Sequence, residues 1–272
     1  MNGKLRVDLH GAPQTMLATL YGRALDADAP DSLLHDRWAR DVVDRIDHDW
    51  STTGITADTA PSVALRARHF DVWAGSFLAA HPDAVVLHLG CGLDSRYFRI
   101  GPGPGVDWYD VDYPDVAELR QRFYPSGGRY HVVASSVTDP AWLADVPAGR
   151  PTLMIGEGLT MYLTEADGAA LLRRIVEQFP SGELQFDAFS RFGIKTQWVN
   201  RVVRRSGSTL YWGIDGPDDI LAAVPGTRLV QWVPVFEAEL FRQLPRRYRV
   251  MAAVLDRVRG VRTMAQFHRY SF

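Results

Sequence analysis

Residues Val85–Ile100 read VVLHLGCGLDSRYFRI. An apolar run stops at Gly90, a second glycine follows at Gly92, and then Asp94 and Arg96 arrive close together. Glycine lacks a Cβ, so the backbone at such a turn bends sharply and comes close to whatever lies above it. An apolar strand, a glycine turn and a helix start form the first unit of an open α/β sheet. In such sheets ligands sit beyond the carboxyl ends of the strands, where strand order reverses.

Short apolar runs follow at 106–111 (VDWYDV), 129–134 (RYHVVA), 151–156 (PTLMIG), 183–189 (ELQFDAF), 228–233 (RLVQWV) and 264–272 (MAQFHRYSF). With 84–89 (AVVLHL) they make seven strands. EADGAALLRRIVEQF (165–179) is the clearest intervening helix, so the pattern predicts an α/β sheet covered by helices on both faces. Upstream the texture is helical. Apolar residues fall at near-helical spacing over Thr15–Ala27, over Ser32–Trp50, and over Ser62–Ala80, with Leu65, Phe70, Trp73 and Phe77 on the buried side. STTGITADTAP is a polar break.

Two ligand classes use a glycine turn of this kind. Dinucleotides call for G-x-G-x-x-G with the pyrophosphate on the helix N-terminus. Here Ser95 takes the third glycine position and Asp94 repels a phosphate. S-adenosylmethionine carries no phosphate, and its sulfonium and amino group suit a carboxylate. The turn thus favours the methyl donor over NAD, while a tight turn that binds nothing stays open. Asp112 lies just past the second strand, where an acidic side chain accepts from both ribose hydroxyls. Asp110, inside the strand, and Asp115, at the next helix start, are its rivals.

Composition narrows the classes. A formal net charge of −2 gives no electrostatic case for nucleic acid or an anionic membrane. The one cysteine, Cys91, permits no internal disulfide, which fits a reducing cytoplasm. No run approaches the ~20 apolar residues of a membrane span, the N-terminal residues lack the apolar core of a signal peptide, and no repeat is visible.

RARHFD, VVLHLGCGLDSRYFRI, WYDVDYPDV and GEGLTMYL together resemble the leucine carboxyl methyltransferase family, and LYGRALDADAPDSLLHDRWARDVV resembles its bacterial branch of polyketide-synthesis O-methyltransferases. The resemblance implies a class I S-adenosylmethionine-dependent methyltransferase: a Rossmann-like sheet of seven strands with the last antiparallel, preceded by an N-terminal helical lid. It implies a lid over residues 1–57, a donor-binding core over 58–272, and an acceptor-side insertion at about 190–216. It implies that Arg66 grips the donor's carboxylate, with Arg68 as competitor, and that Gly90, Cys91, Gly92 and Asp94 lie against the donor. Asp112 would take the ribose, and Glu157 would lie near the donor. S-adenosylhomocysteine would be the product. One departure stands out. Where the family has Asp-Leu after the third strand, this chain has Ser136-Val137, so a hydroxyl replaces the carboxylate that meets the adenine amino group.

Methyl transfer from a sulfonium is an in-line displacement that depends on alignment. A carboxylic acid acceptor is already ionised and needs no base, whereas a phenol or alcohol does. His88 reads as a packed strand residue, and His10, His35 and His48 lie in the N-terminal segment. The expected outcome is a methyl ester on a small polyketide-like acid, with a hydroxyl acceptor as the alternative. A nicotinamide-dependent oxidoreductase and a non-catalytic donor-binding module are the readings from other classes. Glu157 and Tyr162 are the candidate catalytic side chains, with transfer resting chiefly on proximity. The acceptor is expected between the N-terminal helices and residues 192–213. There Tyr21, Trp198, Tyr211 and Trp212 would line an apolar site, and Lys195, Arg201, Arg204 and Arg205 would pair with an acid. No metal is called for.

Overall fold

The computed structural model describes the chain apart from residues 1–3, 8–11, 125, 200, 238, 240–243, 245, 256 and 259, and apart from the side chains of 12–14, 201, 247, 251, 252 and 255. All seven expected strands are present: β1 (Val85–Leu89), β2 (Asp107–Asp112), β3 (Tyr130–Ala134), β4 (Thr152–Gly156), β5 (Gly182–Phe189), β6 (Arg228–Pro234) and β7 (Ala265–Ser271). They form one sheet in the order β3-β2-β1-β4-β5-β7-β6. β7 runs antiparallel to both β5 and β6, and the pairs among β1 to β5 are parallel. Chain order reverses between β1 and β4, which puts the ligand crevice above the Gly90 turn.

Strand alternation explains the two cores. In VVLHL, Val85, Leu87 and Leu89 enter one cluster, with Leu171, Leu172 and Ile175 of α7 (Glu165–Gln178). Val86 points the other way. It packs with Leu65, Phe70, Trp73 and Phe77 of α3 (Ala60–Ala80), the four residues expected on that helix's buried side. A third cluster fastens the N-terminal helices. Met16, Leu17 and Leu20 of α1 (Ala12–Ala27) and Val42 and Val43 of α2 (Arg37–Arg45) pack on Leu93 of the glycine turn and on Val116 and Leu119.

The second N-terminal helix is shorter than the sequence suggests. The Ser32 hydroxyl and the Leu33 and Leu34 amides all donate to Asp26, so that stretch is a loop organised by a carboxylate. Asp36 caps α2 by accepting from the Ala39 amide at 3.0 Å. At Ile46 the chain becomes extended and pairs Ile46–Asp47 with Leu5–Arg6, after which Trp50–Thr53 makes one 3₁₀ turn. The interruption after β5 comprises α8 (Arg191–Lys195), a 3₁₀ turn (Gln197–Val199) and α9 (Arg201–Ser206). Among the described residues, no helix is long and apolar enough to cross a membrane.

Candidate active site

A cavity of about 500 Å³ opens where strand order reverses. Gly90, Cys91, Gly92, Leu93 and Asp94 form one wall, and Asp112, Val137 and Glu157 contribute from the following strand ends. Gly90 and Gly92 both have left-handed backbones, with φ of 61° and 51°. A Cβ on Gly92 would lie 2.8 Å from Met16 Cγ, so this glycine also lets α1 close over the turn.

Asp112 accepts from the Gly92 amide at 2.7 Å and the Tyr113 amide at 2.8 Å, which fixes its carboxylate at the cavity rim. Burial pushes its pKa up, and these amides offset that only partly. Its rivals are occupied elsewhere. Asp110 is fully buried and accepts from His88, Trp108 and Tyr130 beside the Arg120 guanidinium. Asp115 is exposed and accepts from the next amide, that of Val116.

Beneath the cavity lies a network of alternating charges that the sequence reading did not foresee. Arg66 donates Nε to Glu157 at 2.9 Å and Nη1 to Asp187 at 3.4 Å. Arg96 of α4 (Arg96–Ile100) holds the other Glu157 oxygen at 2.5 Å and Asp71 at 2.8 Å, with Asp94 at 3.2 Å. Arg99 meets Asp71, Asp36 and Asp94 at 2.6, 2.9 and 3.1 Å. Burial alone would raise the Asp94, Glu157 and Asp71 carboxyls, but the guanidiniums outweigh it. Asp94 is held well below the usual range, and Glu157 and Asp71 below it. Asp187 is different: burial keeps it raised although Arg66 and the Gly158 amide pull it down. The register predicts one link in this system, because β1 and β2 place His88 opposite Asp110.

This placement sorts the expected site residues. Arg66, Gly90, Cys91, Gly92, Asp94, Asp112, Val137, Glu157, Tyr162 and Tyr211 all line the cavity, whereas Arg68 does not. Cys91 is buried, which pushes its thiol well above the ordinary range. Asp94 offers no free charge, since Arg96 and Arg99 already bracket it. Ser136 is not part of the lining: its hydroxyl pairs with Thr138 Oγ1 at 2.8 Å in the turn. Asp139 accepts from the Ala141 amide and is not part of the lining either.

On the acceptor side Tyr21 stacks on Trp50 with centroids 5.2 Å apart, outside the lining. Trp198 is 70% exposed on the surface, and Trp212 is buried in the sheet-face core. The side chain of Arg201 lies outside the described residues. Lys195, Arg204 and Arg205 do not line the cavity, and Arg205 donates to the Ser51 and Thr52 carbonyls. Met161, Phe189, Val202 and Val203 provide the apolar wall there, and Thr15, Thr19, Ser208 and Thr209 the hydroxyls.

The residues present fit S-adenosylmethionine: the fixed Asp112 carboxylate would accept from ribose hydroxyls, a cavity-lining guanidinium would meet the amino-acid carboxylate, and glycines permit close approach. Comparison with known proteins agrees. Residues 16–176 match the family described as leucine carboxyl methyltransferase. The chain is 46% identical over 227 residues to tetracenomycin polyketide synthesis O-methyltransferase TcmP of Streptomyces glaucescens, covering 83% of this chain and 84% of that protein. It is 38% identical over 247 residues to the S-adenosyl-L-methionine-dependent methyltransferase dpfgK of Gibberella zeae, covering 83% of each. In fold it is similar to a crystal structure of a candidate methyltransferase from Thermobifida fusca, with a TM-score of 0.59 at 16% identity over 92% of this chain and 93% of that one. The sheet order, the cavity above its switch point and these matches converge: the chain belongs to the leucine carboxyl methyltransferase family and is an S-adenosylmethionine-dependent methyltransferase.

Proposed function

We propose that the chain transfers the methyl group to a carboxylate oxygen of a small, polyketide-like acid, forming a methyl ester. The observation that carries this reading is that the ionisable groups able to act as a base around the cavity are already engaged. His88 Nδ1 pairs with Asp110 at 2.8 Å, and its Nε2 faces Arg96 Nη1 at 3.3 Å. Both oxygens of Glu157 are held by arginines, and Asp94 is bracketed by two more contacts of the same kind. An acceptor that arrives ionised needs none of them. A carboxylic acid of pKa ~4 meets that condition at neutral pH and a phenol does not.

When bound, the donor supplies an electrophilic methyl on a sulfonium. The chain's own part is to align and to exclude water. Met161, Phe189, Val202 and Val203 make an apolar wall. Such a wall favours a transfer in which a negative oxygen and a positive sulfur lose charge together. Arg66, Asp112 and Glu157 hold the donor end, with Glu157 positioning Arg66. Tyr162, whose pKa burial raises, stays a neutral phenol that orients the acceptor.

Residues 1–57 are read as the cover and 58–272 as the core, with 190–216 as the facing wall. Thr15, Thr19 and Ile55 reach the cavity from the first part, and Val202, Val203 and Tyr211 from the last. The name of the Streptomyces relative supports a polyketide-type acceptor. The net charge of −2 supports a small-molecule partner over nucleic acid or membrane, and the lone cysteine a cytoplasmic site. The test is incubation with methyl-labelled S-adenosylmethionine and a panel of aromatic acids and phenols, read by mass before and after alkaline treatment. Label lost to alkali marks an ester, and label retained marks an ether and overturns the carboxyl assignment.

A further inference from the structure

Among the described residues, Arg23 is the cavity-lining guanidinium that the network beneath the site leaves largely unused. It sits on α1 and is only 3% exposed. Its single ionic partner among the described residues is Asp36, at 3.6 Å from Nε, too long for a hydrogen bond. Nε is fully buried and has no hydrogen-bond partner. Asp36 has other commitments: it accepts from Ser95 at 2.6 Å, from the Ala39 amide at 3.0 Å and from Arg99 at 2.9 Å. Arg66, by contrast, is already shared between Glu157 and Asp187.

A buried guanidinium with an orphaned Nε and one long ionic contact is under-satisfied, and an oxyanion entering the cavity relieves that best because it accepts from the fork at two points. Position then selects the anion. Arg23 lines the cavity and lies within electrostatic reach of Asp94 and Glu157, at the glycine-turn end. The acceptor wall of Phe189, Val202, Val203 and Tyr211 comes from other elements. We propose that Arg23 binds the α-carboxylate of the methyl donor, adding an uncommitted guanidinium to the committed Arg66 and coupling donor capture to the seating of α1. The inference rests on the donor-site reading above.

Calorimetry with two probes tests it. S-adenosylhomocysteine carries the carboxylate, and 5′-methylthioadenosine lacks the amino-acid part. Arg23→Gln is expected to weaken S-adenosylhomocysteine by about 10- to 100-fold, the range of a lost charge-assisted contact, and to leave methylthioadenosine unchanged. Arg23→Lys keeps the charge but not the planar fork and is expected to fall between. The ratio of the two affinities on one sample cancels any misfolded fraction. If the Gln variant fails to fold, a raised ratio in the Lys variant supports the role and an unchanged ratio overturns it. An equal loss of both probes makes Arg23 a strut for α1 and overturns the role. An unchanged S-adenosylhomocysteine affinity with a raised acceptor KM assigns the anion to the acceptor and overturns it as well. A wild-type protein that binds neither probe refutes the donor site itself, which is a separate failure.

Discussion

The two ends of the cavity are built on opposite principles. The donor end rests on side chains fixed by interlocking charges: Arg66, Arg96 and Arg99 alternate with Asp36, Asp71, Asp94, Glu157 and Asp187. The proposed acceptor end is a wall of Met161, Phe189, Val202, Val203 and Tyr211, with hydroxyls and few charges. Buried ion pairs are poor sources of net stability but strict about geometry, because each partner leaves the other stranded if it moves. Apolar walls tolerate reshaping more readily. On the proposed reading, the methyl donor meets the rigid end and the acceptor the adaptable one.

The sharpest way to break this contrast is at its hinge. Glu157→Ala takes one carboxylate partner from each of Arg66 and Arg96, and should cost about 3–5 kcal/mol of folding stability in urea denaturation. A loss under about 1 kcal/mol would mean that the network is solvated and that the donor end is no more rigid than the acceptor end. Next comes Asp112→Ala. It removes the carboxylate that the Gly92 and Tyr113 amides aim at the cavity, and should weaken S-adenosylhomocysteine by about 2–4 kcal/mol. An unchanged dissociation constant would move the ribose contact elsewhere.

The acceptor end should respond differently. Tyr211 is 59% exposed at the cavity mouth. Tyr211→Ala should raise acceptor KM by about tenfold, in line with one partly buried aromatic contact, and leave S-adenosylhomocysteine affinity as it was. A matching loss at both ligands would erase the division between the ends.

The smallest effect is in pH. Burial raises the Asp112 carboxyl, so it protonates at higher pH than an ordinary aspartate. Ribose hydroxyls donate to the ionised form, so donor affinity should decline as pH falls through that raised range, and Asp112→Asn should remove the decline. Stability follows a separate course. Burial lowers His69 to about 4 and His268 to about 3, below their unfolded value. A lowered pKa favours the folded state above the unfolded value of about 6.5, and that contribution is lost as pH falls toward 4. The thermal midpoint should therefore drop between pH 7 and pH 4.

What could be read from the sequence follows the same divide. The strands were legible because VVLHL, TLMIG and their neighbours are short apolar runs bounded by turn residues. The place of Gly90, Gly92, Asp112 and Glu157 at the cavity was legible because each sits at or just past a strand end, where the fold dictates position. Tyr21, Trp198 and Trp212 were misplaced because aromatic residues serve core and surface as readily as a pocket, and helical spacing does not say which. The charge network was hidden because its members come from α3, α4, β5, the turns after β1 and β4, and the N-cap of α2. Only the isolated His88 and Asp110 within apolar strands hinted that buried charges needed partners. Arg23 carries no local signal: it becomes visible only when its neighbours are seen to be committed.

On the proposed reading, transfer proceeds without a protein base to an acceptor that arrives ionised. Single-turnover methyl transfer with donor and an aromatic acid both saturating, followed from pH ~6 to 8, tests it most directly, because the acid's charge is constant across that window. A flat rate is expected. A rate that climbs with pH, or that breaks near the pKa of a histidine and flattens in a His88→Gln variant, would contradict it and make proton removal part of the reaction.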